Sequence, residues 1–213
     1  MDAPPRIDFP LYLITDRLLL PAGRTLIEAV TSALEGGVRA VQLREKDLDD
    51  AALYPLAREL RALTRAFGAR LLINDRIDLA LAIGADGVHL GGNSLPTAEA
   101  RRFLGPAPLI GVSTHRLEEI AGAASQGADF VTFGPVYFTA SKAPYGEPVG
   151  LEALRCACIA PPLPVFALGG IQLHRISEVL DSGVRGIALI SAILSRPDPA
   201  GAAREILARL KKI

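Results

Sequence analysis

Apolar runs rich in Val, Ile and Leu recur along the whole chain. There are eight: LYLIT from Leu11, AVQL from Ala40, RLLIN from Arg70, GVHL from Gly87, LIGVS from Leu109, FVTFG from Phe130, VFALG from Val165 and GIALI from Gly186. Apolar character that continues through a short run, instead of alternating, marks a strand buried on both faces. Between most of the runs the apolar positions recur at helical spacing, as in TLIEAVTSALEGG and LYPLARELRALTRAFG; the units after the third and fourth runs are shorter. The pattern predicts strand and helix in alternation along the chain.

A second periodicity lies over the first. Each even-numbered strand is introduced by a glycine and two or three residues, in GGVRAVQL, GADGVHL, GADFVTF and SGVRGIAL. A glycine there suits a helix C-cap, where a left-handed backbone costs little without a β-carbon. The cue returns every two βα units, a repeated half-barrel plan. Eight parallel strands, each followed by a helix, predict an α/β protein with a single (β/α)8 TIM barrel over residues 1–213, of which 1–10 form an N-terminal extension. The competing architecture, an open doubly wound sheet, usually has fewer strands and a GxGxxG after the first, which this chain lacks.

Composition narrows the partners. Lys and Arg together number 23 and so do Asp and Glu, so formal net charge is zero. That balance supplies no long-range attraction to nucleic acid or to an anionic membrane, and points to small-molecule partners. No apolar run reaches the roughly 18 to 20 residues that span a bilayer, and MDAPPRIDFP lacks the basic-then-apolar order of a secretory signal. A cytoplasmic protein is expected, with homo-oligomerisation neither required nor excluded. The cysteines, Cys156 and Cys158, fall two apart in a predicted helix and are expected to pack there, not to form a disulfide or metal pair.

In a barrel of this type the chemistry sits at the C-terminal ends of the strands. The second run continues as AVQLREK, where Gln42, Arg44 and Lys46 fall on one side and Val41, Leu43 and Glu45 on the other. Pointed at the barrel axis, the first set brings an amide and two cations to the mouth, which suits an anion. The third run ends in Asn74 and Asp75, an acid placed either as a counter-ion to those cations or as a ligand for a divalent metal carrying phosphate. After the fifth come Ser113, Thr114 and His115; the histidine is either a catalyst or a cap for the helix that follows. The sixth is followed by FGPVYFTASKAPYGEP, with Thr139, Ser141 and Lys142, a polar loop placed to cover the mouth. Gly169 and Gly170 end the seventh, and the eighth runs through Ile190 and Ser191 into a helix start. That is a recurrent phosphate site in barrels, because small residues let backbone N–H groups approach the oxygens. Gly170→Val is expected to weaken phosphate binding and leave the fold intact. Two anion sites across one mouth suit an enzyme that joins two phosphorylated small molecules.

These residues resemble the thiamine phosphate synthase and TenI family. The resemblance runs from LYLITD to LISAI through VQLREK, INDRIDLALAIGADGVHLG, IGVSTH, GADFVTFGPVYFTASK and ALGGI. For a synthase it implies coupling of an aminopyrimidine pyrophosphate to thiazole phosphate, with Mg2+. It would place Gln42 and Asn74 at the pyrimidine, Arg44, Lys46, Ser113 and Lys142 at the pyrophosphate, and Asp75 at the metal. Thr139 and Ser141 would line the thiazole, with Gly169, Gly170, Ile190 and Ser191 around its phosphate. The departure is HLGGNSLP, where synthases usually carry GQxD and a second metal acid and this chain has Gly92, Asn93 and Ser94. Asp75 is then expected to suffice once pyrophosphate is bound, with Ser94 or the Asn93 carbonyl reaching the metal. The missing acid and the altered TASKAPYG loop suit TenI, a thiazole tautomerase with a histidine where His115 stands; SxH also occurs in synthases, so His115 does not decide, and QLREK and ND suit the synthase. A third reading is a silent regulator that binds a thiamine-related phosphate.

Overall fold

The computed structural model describes residues 6–139 and 147–211. Its strands are β1 (Leu11–Ile14), β2 (Ala40–Leu43), β3 (Arg70–Asn74), β4 (Gly87–Leu90), β5 (Leu109–Thr114), β6 (Phe130–Phe133), β7 (Val165–Leu168) and β8 (Gly186–Leu189). Each pairs in parallel with the next, and β8 closes on β1. Helices α1 (Leu26–Glu35), α2 (Asp50–Ala66), α3 (Ile77–Ile83), α4 (Thr97–Leu104), α5 (Leu117–Ser125), α6 (Gly150–Ala157) and α7 (Ile176–Leu180) follow the first seven strands. The short α8 (Ser191–Leu194) and α9 (Pro199–Leu210) follow β8. The fold is the expected TIM barrel.

Side-chain alternation divides the strands between two cores. Val41, Leu43, Leu71, Ile73, Val88 and Leu90 point outward and pack under the helices. Tyr12, Leu72, Phe130, Phe166 and Ala188 fill the interior. Gly111 makes room for the interior rings, since a β-carbon there would lie 2.4 Å from Phe130 Cζ and 2.5 Å from His89 Nδ1. The glycines ahead of the even strands, Gly37, Gly84, Gly127 and Gly183, all have positive φ, and Gly84 is the left-handed C-cap of α3.

Residues 6–10 do not stand apart as an extension. Ile7 and Phe9 are buried in the interior cluster, and Pro10 O accepts the Ile187 N–H at 2.9 Å. The Phe9 ring meets Phe130 edge-on at 5.9 Å and lies 5.5 Å from Phe166. The segment is held from outside by Arg6, whose Nη1 is 2.7 Å from Asp129 Oδ1 and whose Nη2 donates to the Ala107 carbonyl at 2.9 Å. It forms the barrel floor.

The aspartates that open β4 and β6 belong to this end too. Asp86 accepts the Leu71 N–H at 2.8 Å and Asp129 the Ile110 N–H at 2.7 Å, paired with Arg61 and Arg101 respectively. Both are structural anchors away from the mouth. The cysteines divide, because α6 ends between them: Cys156 is exposed, while Cys158 packs against the outer core and burial raises its thiol pKa to about 11. Among the described residues no helix is long and apolar enough to cross a membrane.

Candidate active site

The ends of β2 to β5 bring most of the expected polar groups together. Gln42 is buried inside the barrel, donating from Nε2 to Tyr12 Oη at 3.1 Å. Arg44 is half-buried, its backbone N–H held by Thr15 Oγ1 at 2.9 Å, and its charge acts on the interior residue His89. Lys46 departs from the expected stripe. Because β2 ends at Leu43, strict alternation stops short of it, and the side chain is exposed at the rim of a cavity of about 300 Å³. That cavity is also lined by Glu45, Asn74 and Asp75, so Lys46 and the third strand's acid border the same space.

Asp75 is the most constrained of these residues. Its φ is +61°, a left-handed backbone rare outside glycine, and its N–H donates to the His89 carbonyl at 3.0 Å. Asn74 Nδ2 donates to one carboxylate oxygen at 2.7 Å and the Ser94 hydroxyl donates to the other. Ser94 Oγ in turn accepts the Gly91 N–H at 2.6 Å. The residue standing where a second acid was expected is therefore tied directly to the first. Among the described residues no three His, Cys, Asp or Glu side chains are grouped to hold a metal ion.

Below Arg44 and Asp75 lies a buried polar chain. His89 Nδ1 is 3.5 Å from Tyr12 Oη, and its Nε2 is 3.1 Å from Ser113 Oγ and 3.4 Å from Thr132 Oγ1. Ser113 is half-buried at the end of β5. Burial lowers the pKa of His89 to about 3; the Asp75 charge raises it and the Arg44 charge lowers it further. The ring is neutral at neutral pH, able to give one hydrogen bond and accept another.

On the far side His115 is exposed and does not cap α5. Its own N–H goes to Glu119 at 2.7 Å, and its ring Nδ1 is bonded to the Gly134 carbonyl, which ties the ends of β5 and β6. Thr139 is half-buried; Ser141 and Lys142 lie outside the described residues. Gly169 and Gly170 have φ of +101° and +66°. A β-carbon on Gly170 would come within 2.8 Å of Tyr137 Cβ and of Phe138 O. The expectation for Gly170→Val is thus corrected: the position is required by packing of the β6 loop, so valine disturbs local structure as well as any ligand. Ile190 is half-buried against the interior cluster, and Ser191 is exposed as the first residue of α8.

Comparison with known proteins gives these positions a context. A family model described as thiamine monophosphate synthase matches residues 11–193. The chain belongs to this family. A Geobacter sulfurreducens protein, provisionally named a thiamine-phosphate synthase, is 58% identical over 205 residues, covering 96% of each chain. The thiamine-phosphate synthase of Clostridium novyi is 44% identical over 200 residues, covering 94% of this chain and 98% of that one. Among solved structures, thiamine phosphate pyrophosphorylase from Pyrococcus furiosus superposes with a TM-score of 0.86 at 39% identity, covering 96% of each chain.

Within this thiamine monophosphate synthase fold, sequence reading missed two groups. Glu45 has a buried carboxylate that accepts the Arg17 N–H on both oxygens, at 3.2 and 3.1 Å, and so pins the β1 loop to the β2 loop. Its outward phase was legible, its partner was not. His89 was hidden inside an apolar strand, although a histidine in the middle of GVHL is itself a signal of a polar interior.

His89 also makes a pH prediction. Its folded pKa lies below the ordinary histidine value, so between about pH 6.5 and 3 the unfolded chain binds the extra proton and stability falls as pH falls. A loss on the order of 3–5 kcal/mol is expected across that window. Urea melts at pH 7, 5 and 4 check it, with His89→Gln expected to flatten the slope. A variant as acid-sensitive as the wild type assigns the sensitivity to another group.

Proposed function

We propose that this chain is a thiamine-phosphate synthase. It joins 4-amino-2-methyl-5-hydroxymethylpyrimidine pyrophosphate to thiazole phosphate, breaking the bond between the pyrimidine methylene and the pyrophosphate oxygen and forming one to the thiazole nitrogen. The observation that carries this reading is the Asp75 carboxylate, locked by Asn74 and Ser94, its charge and that of Arg44 both acting on His89, in a family member matched over nearly its full length. In this assignment Gln42 and Asn74 orient the pyrimidine. Arg44 and Lys46, with Ser113 and Lys142, receive the charge that collects on the leaving pyrophosphate. Thr139 and Ser141 line the thiazole, and Gly169, Gly170, Ile190 and Ser191 surround its phosphate. His89, neutral at neutral pH, adds no charge of its own to this part of the site.

A carboxylate joined to one hydroxyl, on a cavity that Lys46 also lines, fits Mg2+, which commonly takes one or two carboxylates and completes its shell with water and substrate phosphate. Bound there, Mg2+ would neutralise pyrophosphate charge. Ser94→Asp would place a second carboxylate against Asp75, where two like charges disfavour each other's ionisation until a cation arrives. The variant is expected to melt lower than wild type without Mg2+, to recover on its addition, and to need less Mg2+ for coupling. A melt indifferent to Mg2+ would remove Ser94 from the metal site.

The decisive experiment incubates the protein with both substrates and Mg2+ and looks for thiamine phosphate by mass. Its absence under conditions where the Clostridium novyi enzyme is active rejects the synthase. One observation favours the second reading, a thiazole tautomerase: with Nδ1 engaged by Gly134 O, the His115 ring is oriented to exchange a proton through Nε2.

A further inference from the structure

The loop after β6 and the turn after β7 are joined more tightly than a loop needs merely to close a barrel. Val136 N donates to Leu168 O at 2.9 Å and Tyr137 N to Gly169 O at 3.1 Å, so the loop extends the β6–β7 pairing past the ends of both strands. Side chains then fasten it from outside. Tyr137 Oη donates to Glu178 Oε1 on α7 at 2.5 Å, and burial with the Glu178 carboxylate raises the phenol pKa to about 12, so it remains a donor. Arg175 lies over the Tyr137 ring, 4.1 Å from its centroid, and donates from Nη1 to the Gly170 carbonyl at 3.3 Å. One guanidinium thus touches both the loop and the glycine turn, and β-carbons at Gly169 or Gly170 would collide with Pro135 and Tyr137.

We infer that Tyr137 and Arg175 are positioning residues for the thiazole phosphate half of the site, a clamp that holds the Gly169–Gly170 turn against the β6 loop. The inference rests on the synthase reading. Thiazole ring and phosphate would be received by two different loops, and a ligand held at both ends binds well only if those loops keep a fixed separation. Without the clamp, ordering them is charged against binding. Apart from Lys142, further along the β6 loop, the residues assigned to the pyrimidine pyrophosphate lie at the ends of β2, β3 and β5, which the clamp does not touch. Its effect falls mainly on one substrate.

Steady-state kinetics with each substrate varied in turn test this, on Tyr137→Phe, Arg175→Ala and Arg175→Lys. Arg175→Ala loses the ring contact and the charged hydrogen bond, and is expected to raise the KM for thiazole phosphate about tenfold, with Tyr137→Phe rising about threefold. Arg175→Lys, which keeps the cation over the ring, is expected to recover part of the loss. KM for pyrimidine pyrophosphate and kcat should stay within about twofold of wild type. Calorimetric titration of the Tyr137→Phe and wild-type proteins with thiazole phosphate should show the same ratio in Kd. A coupling-competent wild type whose Arg175→Ala variant keeps its thiazole phosphate KM, or loses both substrates equally, overturns the clamp and leaves the synthase standing. A wild type that neither couples nor binds thiazole phosphate overturns both.

Discussion

Arg44→Ala is expected to lower the coupling rate by roughly 10²-fold or more, the usual scale for removing a donor aimed at charge that develops on a leaving group. The side chain is half-buried at the mouth, within electrostatic reach of His89, and its structural bond is made by the backbone N–H to Thr15, which alanine retains. The thermal midpoint should therefore move little. Arg44→Lys keeps a cation but not the planar fork, and should fall between the two. The check is kcat at saturating substrates beside a thermal melt of each protein. Wild-type kinetics in Arg44→Ala would make this residue a bystander, and an equal collapse of stability would make it structural.

Phe9→Ala is expected to destabilise the fold by about 3–5 kcal/mol, the range for emptying a large aromatic site in a packed core. Phe9 is 1% exposed and meets Phe130, Phe166 and Tyr12, with the Tyr12 ring 5.9 Å away. These side chains carry the interior stack on which the His89 chain rests, so the cavity opens below the site. Phe9→Leu, which fills most of the volume, should lose considerably less. Urea unfolding followed by circular dichroism measures both. A loss below about 1 kcal/mol in Phe9→Ala would mean that residues 6–10 are dispensable to the barrel, as an extension would be.

Tyr12 and His89 show how far the chain can be read without its fold. Continuous apolar runs follow from burial on both faces, and the glycine before each even strand follows from the left-handed turn out of a helix; both are local, so strand number, order and the parallel closed barrel were legible. The placement of Gln42, Arg44, Asn74 and Ser113 was legible as well, since the period of a strand and the rule of the C-terminal ends together place side chains at one mouth, whereas Asp75, adjacent to Asn74 and past the end of β3, takes its place through a left-handed backbone that the period does not dictate. Lys46 marks the limit of that reasoning: it lies beyond Leu43, where pairing ends and period two no longer dictates direction. Contacts between distant segments are a different matter. That Ser94 binds Asp75, that Glu45 latches Arg17, that Phe9 plugs the floor and that Tyr137 seats on the Gly170 turn all join positions with no fixed sequence relation. Hydrophobic phase by itself determined the barrel and the rim; barrel closure alone decided which polar group meets which, because hydrogen bonds and ring contacts depend on separations of a few ångströms that arise only when all eight strands have closed.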